Sequence, residues 1–246
     1  MQFKDTALIL AGHGSTKNAD SSRFTRETAH RLREKGIFAE VRAGFWKEEP
    51  SFHEALRGLE SKRVVVVPWF LANGYFTTKI LASEFAETPG VECRVTEPIG
   101  SRPEIFDLMR TRAEKLCRMG KHLPKETSLL VASHGTPLHP GSRKAAEGLA
   151  KQLLEEGYRS ARSVFLEEEP RISEWRGVVA EEGPVIVLPH FLAGGLHGSE
   201  DVPGLVGLAS AAEGWSDLDG RKIGYGEPLG KPEEMEEIVI QLARRI

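Results

Sequence analysis

The sequence predicts an α/β protein of two tandem, similar domains, each a four-stranded parallel sheet with helices on both faces. An internal repeat is the first reason. ALILAGHGST (Ala7–Thr16) returns as SLLVASHGTP (Ser128–Pro137), GFWKEEP (Gly44–Pro50) as VFLEEEP (Val164–Pro170), and VVVVPWFLANGYFTTKIL (Val64–Leu81) as VIVLPHFLAGGLHGSEDV (Val185–Val202), at offsets of 121, 120 and 121 residues. Within each copy, short β-branched runs alternate with longer helix-patterned segments, which is the signature of parallel strands joined by crossover helices. Finally, Val64–Val67 is a continuous apolar run, as expected of a strand buried on both faces. The 246 residues suffice for two compact domains at roughly 100–200 residues each.

Taken in order, the first copy predicts strands at Thr6–Ala11, Phe38–Ala43, Arg63–Pro68 and Val91–Glu97. Its helices fall at Ser21–Lys35, Ser51–Leu59, Thr77–Ala86 and Arg102–Arg118. The polar stretch Met119–Glu126, with Gly120 and Pro124, reads as the linker and sets the domains at 1–122 and 123–246. The second copy repeats the strands at Ser128–Ser133, Ser163–Leu166, Val185–Pro189 and Lys222–Gly226. Its last helix is Pro232–Arg245, with proline and glutamates in the first turn and Arg244 and Arg245 in the last, as the helix dipole favours. A further pair, Glu97–Gly100 and Glu227–Gly230, sits at an offset of 130, so the second copy carries about nine extra residues between His197 and Glu227.

With 33 Lys+Arg against 36 Asp+Glu, the chain has a formal net charge of -3 and no block of like charge. That balance offers no electrostatic footprint for nucleic acid. Cys93 and Cys117 form neither a disulfide framework nor a CxxC knuckle. The apolar stretch Ala7–Ala11 is too short for a signal sequence, and no stretch approaches the roughly 20 apolar residues of a membrane span. The expectation is a cytoplasmic protein with no membrane or nucleic-acid partner.

Ligands of doubly wound sheets bind beyond the carboxyl ends of the strands, where the strand order reverses. In an order 2-1-3-4, that crevice lies between strands 1 and 3. His134 follows strand 1 of the second copy, His197 lies past the end of strand 3, and Glu167 ends strand 2. A histidine after a strand is as a rule a turn or core residue, and Glu167–Glu169 alone reads as a solvated turn; their convergence on one rim is what points to chemistry. His190, the mate of Trp69, is a packing candidate, and His30, His53, His122 and His139 read as surface residues. Other glycine and histidine chemistries fit less well. Lys17 replaces the third glycine of GxGxxG, Gly12 and Ser133 stand where phosphohistidine mutases carry arginine, and neither GxxxxGK[ST] nor GxSxG occurs.

At these residues the chain resembles the class II metal chelatases of tetrapyrrole synthesis, above all the sirohydrochlorin cobaltochelatase and ferrochelatase branch. The shared marks are the strand followed by HG[ST] (His13–Gly14–Ser15, His134–Gly135–Thr136) and the FLE…P stretch (Phe165–Leu166–Glu167, Pro170). A third is P-x-FL-x-x-G-x-H-x-x-x-D-[IV]-P, formed by Pro189, Phe191, Leu192, Gly195, His197, Asp201, Val202 and Pro203. The resemblance covers nearly the whole chain. It implies two domains enclosing a cleft and insertion of Co2+, Fe2+ or Ni2+ into sirohydrochlorin or a related tetrapyrrole, in cobalamin or siroheme biosynthesis. By the resemblance, His134 and His197 bind the metal and accept pyrrole protons, and Glu167 is their carboxylate partner or a proton relay. Neutral imidazole, with an unperturbed pKa near 6.5, suits both tasks. The metal is a substrate, and no permanently bound cofactor is required.

The first copy departs from this pattern. Phe76 replaces His197, Lys47 replaces Glu167 and Ile80 replaces Asp201, leaving His13. The first copy is therefore expected to be a non-catalytic wall, with one active site per chain. A polycarboxylate macrocycle needs local positive charge, for which Lys17, Lys47, Lys79 and Arg143 on strand-end loops are candidates, Lys47 and Arg143 being singled out, while Arg42 falls within a predicted strand; His13 is the remaining substrate-binding candidate. Two rival readings stay open: a protein that binds tetrapyrrole or metal without turnover, and a small-molecule enzyme of other chemistry, such as an isomerase or phosphatase. Monomer and homodimer are both compatible with the sequence.

Overall fold

A computed structural model describes residues 3–86, 90–192 and 201–246. The strands of the first sheet are β1 (Phe3–Gly12), β2 (Phe38–Phe45), β3 (Arg63–Pro68) and β4 (Glu92–Val95), in spatial order β2-β1-β3-β4, all parallel. The central pair is in a register that sets Ile9 beside Val66 and Ala11 beside Pro68. Alternate residues point to opposite faces. Ala7, Ile9, Ala11, Val64 and Val66 therefore share a core with Phe52, Ala55, Leu81 and Phe85, while Leu8, Leu10 and Val67 are buried on the other face.

Helix α1 (Arg23–Glu34) buries Thr25, Thr28, Ala29 and Leu32. That spacing is one stripe of a 3.6-residue helix. The short α2 (Phe52–Leu56) starts at Ser51, whose side chain accepts from the Glu54 amide while the Glu54 carboxylate accepts from the Ser51 amide. Two orphan amides are thereby satisfied. A π-helical turn at Phe76–Ile80 leads into α3 (Leu81–Ala86).

The second sheet contains β5 (Ser128–Ser133), β6 (Ser160–Phe165), β7 (Val185–Pro189), β8 (Gly214–Leu218) and β9 (Arg221–Tyr225), in order β6-β5-β7-β9-β8. Its first four members reproduce the 2-1-3-4 order in parallel, but β8 is an added antiparallel edge strand, so this sheet is five-stranded and mixed rather than four-stranded and parallel. The extra residues of the second copy account for it. Strands β8 and β9 are joined through Asp219 (φ 54°) and Gly220 (φ 80°), and the Gly220 amide donates to Asp217 Oδ1 at 2.8 Å. Aspartate then glycine, both with positive φ, is the preferred two-residue hairpin turn. Helices α5 (Gly141–Glu155) and α6 (Val202–Val206) complete this part.

The packing units do not follow the boundary drawn from the repeats at 122/123. One unit comprises the chain up to Arg102 together with Gly230–Ile246; the other is Pro103–Leu229. Helix α4 (Pro103–Gly120), the last of the first copy, belongs to the second unit, where Trp215 Nε1 donates to the Leu116 carbonyl at 2.8 Å and Arg112 to the Pro228 carbonyl at 3.1 Å. Helix α7 (Pro232–Ala243), the last of the second copy, belongs to the first unit. There Glu236, 5% exposed, pairs with Arg31 and with Lys35, the latter at 2.6 Å. Burial pushes the Glu236 carboxyl up, but its bonds to Lys35 and Arg31 outweigh this and leave it below the usual range.

A fragment ending at residue 122 keeps α4 without its sheet and loses α7, whose Met235, Ile238, Val239, Ile240 and Leu242 are buried in the whole chain. Burial of five such side chains contributes on the order of 10 kcal/mol, comparable to the whole stability of a domain. The fragment is expected to show no cooperative thermal transition by circular dichroism; a sharp melt would mean that α7 is dispensable.

Candidate functional site

Both units make the same turn at the end of their first strand. Gly14 (φ +68°) and Gly135 (φ +66°) lie in the left-handed region. A Cβ on Gly14 would stand 2.6 Å from Glu48 Cγ and 2.9 Å from Phe45 Cβ; on Gly135 it would stand 2.7 Å from Glu168 Cγ and 2.8 Å from Phe165 Cβ. Conformation and space both demand glycine. The loop after the second strand is bonded to the turn: the Lys47 amide donates to the His13 carbonyl at 2.8 Å and the Glu167 amide to the His134 carbonyl at 3.1 Å.

A glutamate and an arginine brace each turn. In unit 2, Glu168 accepts from the Thr136 amide at 3.1 Å and from Arg143 Nε and NH2 at 3.0 and 2.8 Å, and the Arg143 guanidinium lies 4.6 Å over the Phe165 ring. In unit 1, Glu48 accepts from the Ser15 amide at 2.8 Å and from Arg26 at 2.7 Å, with Arg26 4.6 Å over Phe45. Burial pushes the Glu48 carboxyl up, but bonds from Ser22, Arg26 and the Ser15 amide bring it below the ordinary range. Arg143 further contacts Glu147 at 3.2 Å and the Glu169 carbonyl. Its geometry is that of a loop clamp. The repeated EEP in Gly44–Pro50 and Val164–Pro170 was the available sequence signal for the glutamate of this clamp.

His134 and Glu167 are brought together. His134 Nδ1 lies 2.8 Å from the Gly135 carbonyl. A carbonyl only accepts, so Nδ1 carries the hydrogen and Nε2 presents its lone pair. That Nε2 is 3.8 Å from Glu167 Oε1, with the two side chains 44% and 56% exposed. The separation exceeds a hydrogen bond, and one divalent ion with ligand bonds of about 2.0–2.2 Å could span it. Among the described residues no three histidine, cysteine, aspartate or glutamate side chains gather around a metal position. His197 lies outside the described residues.

The equivalent position in unit 1 is built from other side chains. His13 Nδ1 donates to the Gly14 carbonyl at 3.0 Å, but the ring partner of His13 is Phe76, at 5.6 Å between centroids. Lys47 stands in the Glu167 position, its Nζ 5.5 Å from the Trp46 ring. Lys17 and Lys79 are exposed. Arg42 is occupied elsewhere, donating to the carbonyls of Ala55, Arg57 and Gly58 and pairing with Glu40 at 2.7 Å.

His190, at the end of β7, is 2% exposed. Its Nδ1 is 3.3 Å from Ser133 Oγ, in the residue just before His134, and its Nε2 has no hydrogen-bond partner among the described residues. Burial holds its pKa down at about 4, so it is neutral.

The fold is a two-copy α/β scaffold with a histidine and a carboxylate side by side on the strand-end rim of one copy, and sequence comparison gives its family. The CbiX family profile matches residues 7–116 and again 128–246, and the chain belongs to that family. It is 32% identical over 221 residues, 80% of this chain and 75% of the other, to a probable sirohydrochlorin cobaltochelatase of Halobacterium salinarum. A sirohydrochlorin cobaltochelatase of Methanopyrus kandleri is 30% identical over 135 residues, which are 46% of this chain but 92% of that protein. Among solved structures, DR2241 of Deinococcus radiodurans, described as similar to chelatases with two additional domains, superposes with a TM-score of 0.75 at 26% identity. It covers 98% of this chain, which spans 55% of that protein's length.

Arg143→Ala removes charged hydrogen bonds at a partly exposed site, worth about 1 kcal/mol, or a fall of about 2–4 °C in the melting midpoint. A raised KM with an unchanged melt would instead return Arg143 to the substrate. For His190, the unfolded chain binds a proton near pH 6.5 and the folded chain only near 4. Stability from this group is complete above about pH 6.5 and falls by up to about 3 kcal/mol as the pH drops to 4. Denaturant titrations of His190→Leu are expected to show a shallower acid loss than wild type; parallel curves would acquit His190.

Proposed function

We propose that this chain inserts a divalent metal, Co2+, Fe2+ or Ni2+, into sirohydrochlorin or a related tetrapyrrole, at one chemical site per chain in unit 2. The observation that carries the reading is the His134 lone pair facing the Glu167 carboxylate at 3.8 Å on the strand-end rim. The names of the Halobacterium and Methanopyrus relatives support it.

Insertion exchanges two pyrrole N–H protons for one M2+. In this reading the His134 Nε2 lone pair and Glu167, with His197, hold the metal until the macrocycle nitrogens take it. As the metal passes over, the two displaced pyrrole protons go to the groups that it leaves, one to the His134 imidazole and one to the Glu167 carboxylate, and both are then released to solvent. His13 and Lys47 contact the macrocycle, Lys47 through its carboxylates, while Arg143 acts through Glu168 to hold the His134 turn. No resident cofactor enters. The reaction is assigned to the cytoplasm and to a monomer or homodimer.

Absorbance assays with sirohydrochlorin and each metal in turn are expected to show metallation by the wild-type chain. His134→Ala and Glu167→Gln should lower turnover by about 100-fold or more, the scale of lost acid–base catalysis, with unchanged melting. Turnover should fall on the acid side, because a protonated imidazole neither binds metal nor takes a proton. Tight binding of macrocycle or metal with no turnover under any of these metals would establish the binding-protein alternative.

A further inference from the structure

The first copy has lost more than its chemistry: each rim position has been refilled in one direction. Where unit 2 has Leu166, Glu167 and His197, unit 1 has Trp46, Lys47 and Phe76. A carboxylate has become a cation, and a potential ligand and an aliphatic residue have become aromatic rings. These residues converge. Phe76 opens the π-helical turn and lies at ring-centroid distances of 5.0 Å from Phe70, 5.6 Å from His13, 5.8 Å from Trp46 and 6.5 Å from Phe52. π-Turns of this kind recur at functional sites.

Such a cluster could be ordinary core, but Trp46 is 39% exposed, and Lys47 and His13 are exposed beside it. The neighbouring carboxylate, Glu48, is paired with Arg26 and the Ser15 amide and does not neutralise Lys47. The face is therefore aromatic and cationic. It suits a flat, apolar ring system edged with carboxylates. Metal chemistry has no footing there, since phenylalanine and lysine replace the ligands.

We infer that the strand-end face of unit 1, formed by Trp46, Phe76, His13 and Lys47, is a binding platform for the metal-free tetrapyrrole polycarboxylate. Trp46 and Phe76 supply stacking surface and Lys47 pairs with a peripheral carboxylate. The inference rests on the tetrapyrrole reading and adds a task for the chemically silent copy: holding the organic substrate. Aromatic stacking and an ion pair need no metal, so this binding does not depend on metal loading.

The test is equilibrium dialysis of metal-free sirohydrochlorin against the full chain, alongside steady-state metallation. Trp46→Ala and Phe76→Leu are each expected to raise Kd and KM about tenfold, with kcat changed less than twofold, and Trp46→Phe should recover most of the loss. Lys47→Glu should weaken binding at low salt, with the difference from wild type shrinking as salt screens the pair; Lys47→Arg should retain it. Thermal melts separate lost binding from lost folding. If the wild-type chain metallates sirohydrochlorin while these variants keep wild-type Kd and KM, the platform is overturned and the chelatase reading stands. Self-association that Trp46→Ala abolishes, with macrocycle binding intact, would also overturn it by showing a protein-docking face. A wild-type chain that neither binds nor metallates the macrocycle would defeat the chelatase reading itself.

Discussion

The strand-end turn is the constraint on which the rest of each site depends. A parallel strand buried along its C-terminal half has to deliver a histidine to the rim and then turn at the next residue, and that residue is a left-handed glycine pressed against a phenylalanine and a glutamate. Because the turn aims the glycine carbonyl at Nδ1, the histidine tautomer is decided by backbone geometry, and Nε2 faces outward as a lone pair. The bracing glutamate takes the next residue's amide, and an arginine holds the glutamate. Histidine chemistry is thus set two bonds away from the histidine itself.

The two units show which parts of this arrangement are bound by packing and which are free. Strand order, the turn glycine, the bracing glutamate, the arginine over phenylalanine, and the amide bonds that tie the second-strand loop to the turn occur in both. These features satisfy backbone groups or fill space beside them, where a change leaves a clash or an orphaned donor. The rim side chains project away from that framework, and there the copies diverge, Glu167 against Lys47 and Leu166 against Trp46; behind the rim the buried Ser133 and His190 stand against Gly12 and Trp69. A buried neutral imidazole behind His134 is tolerated only in the copy that also has a serine to bond it.

Helices α4 and α7 connect the copies covalently in an exchanged manner, each repeat ending in a helix that belongs to the other packing unit. Each carries a broad apolar face and few residues that name its seat. The identifying contacts are specific and long-range: Glu236 between Arg31 and Lys35 for α7, and Trp215 and the Pro228 carbonyl for α4.

The sequence alone determined the repeat and the approximate positions of its strands and, once a 2-1-3-4 order is supposed, the convergence of His134 and Glu167 on one edge; the order itself is a property of the fold. These follow from periodicities and offsets that local residue patterns carry directly, because strands of one parallel sheet all end on the same side. Tertiary structure decided the remainder. An amphipathic helix announces that a face is buried but not against which sheet, so the seats of α4 and α7 were invisible. Arg143 read as a free cation because its partner Glu168 lies 25 residues away and only the folded turn brings them to 2.8 Å. The antiparallel β8 had a local mark, Asp219–Gly220, which gains meaning only with the two strands that it joins. The tautomer of His134 depended on a carbonyl direction, and directions are properties of the fold: composition and spacing list the groups, and only packing aims them.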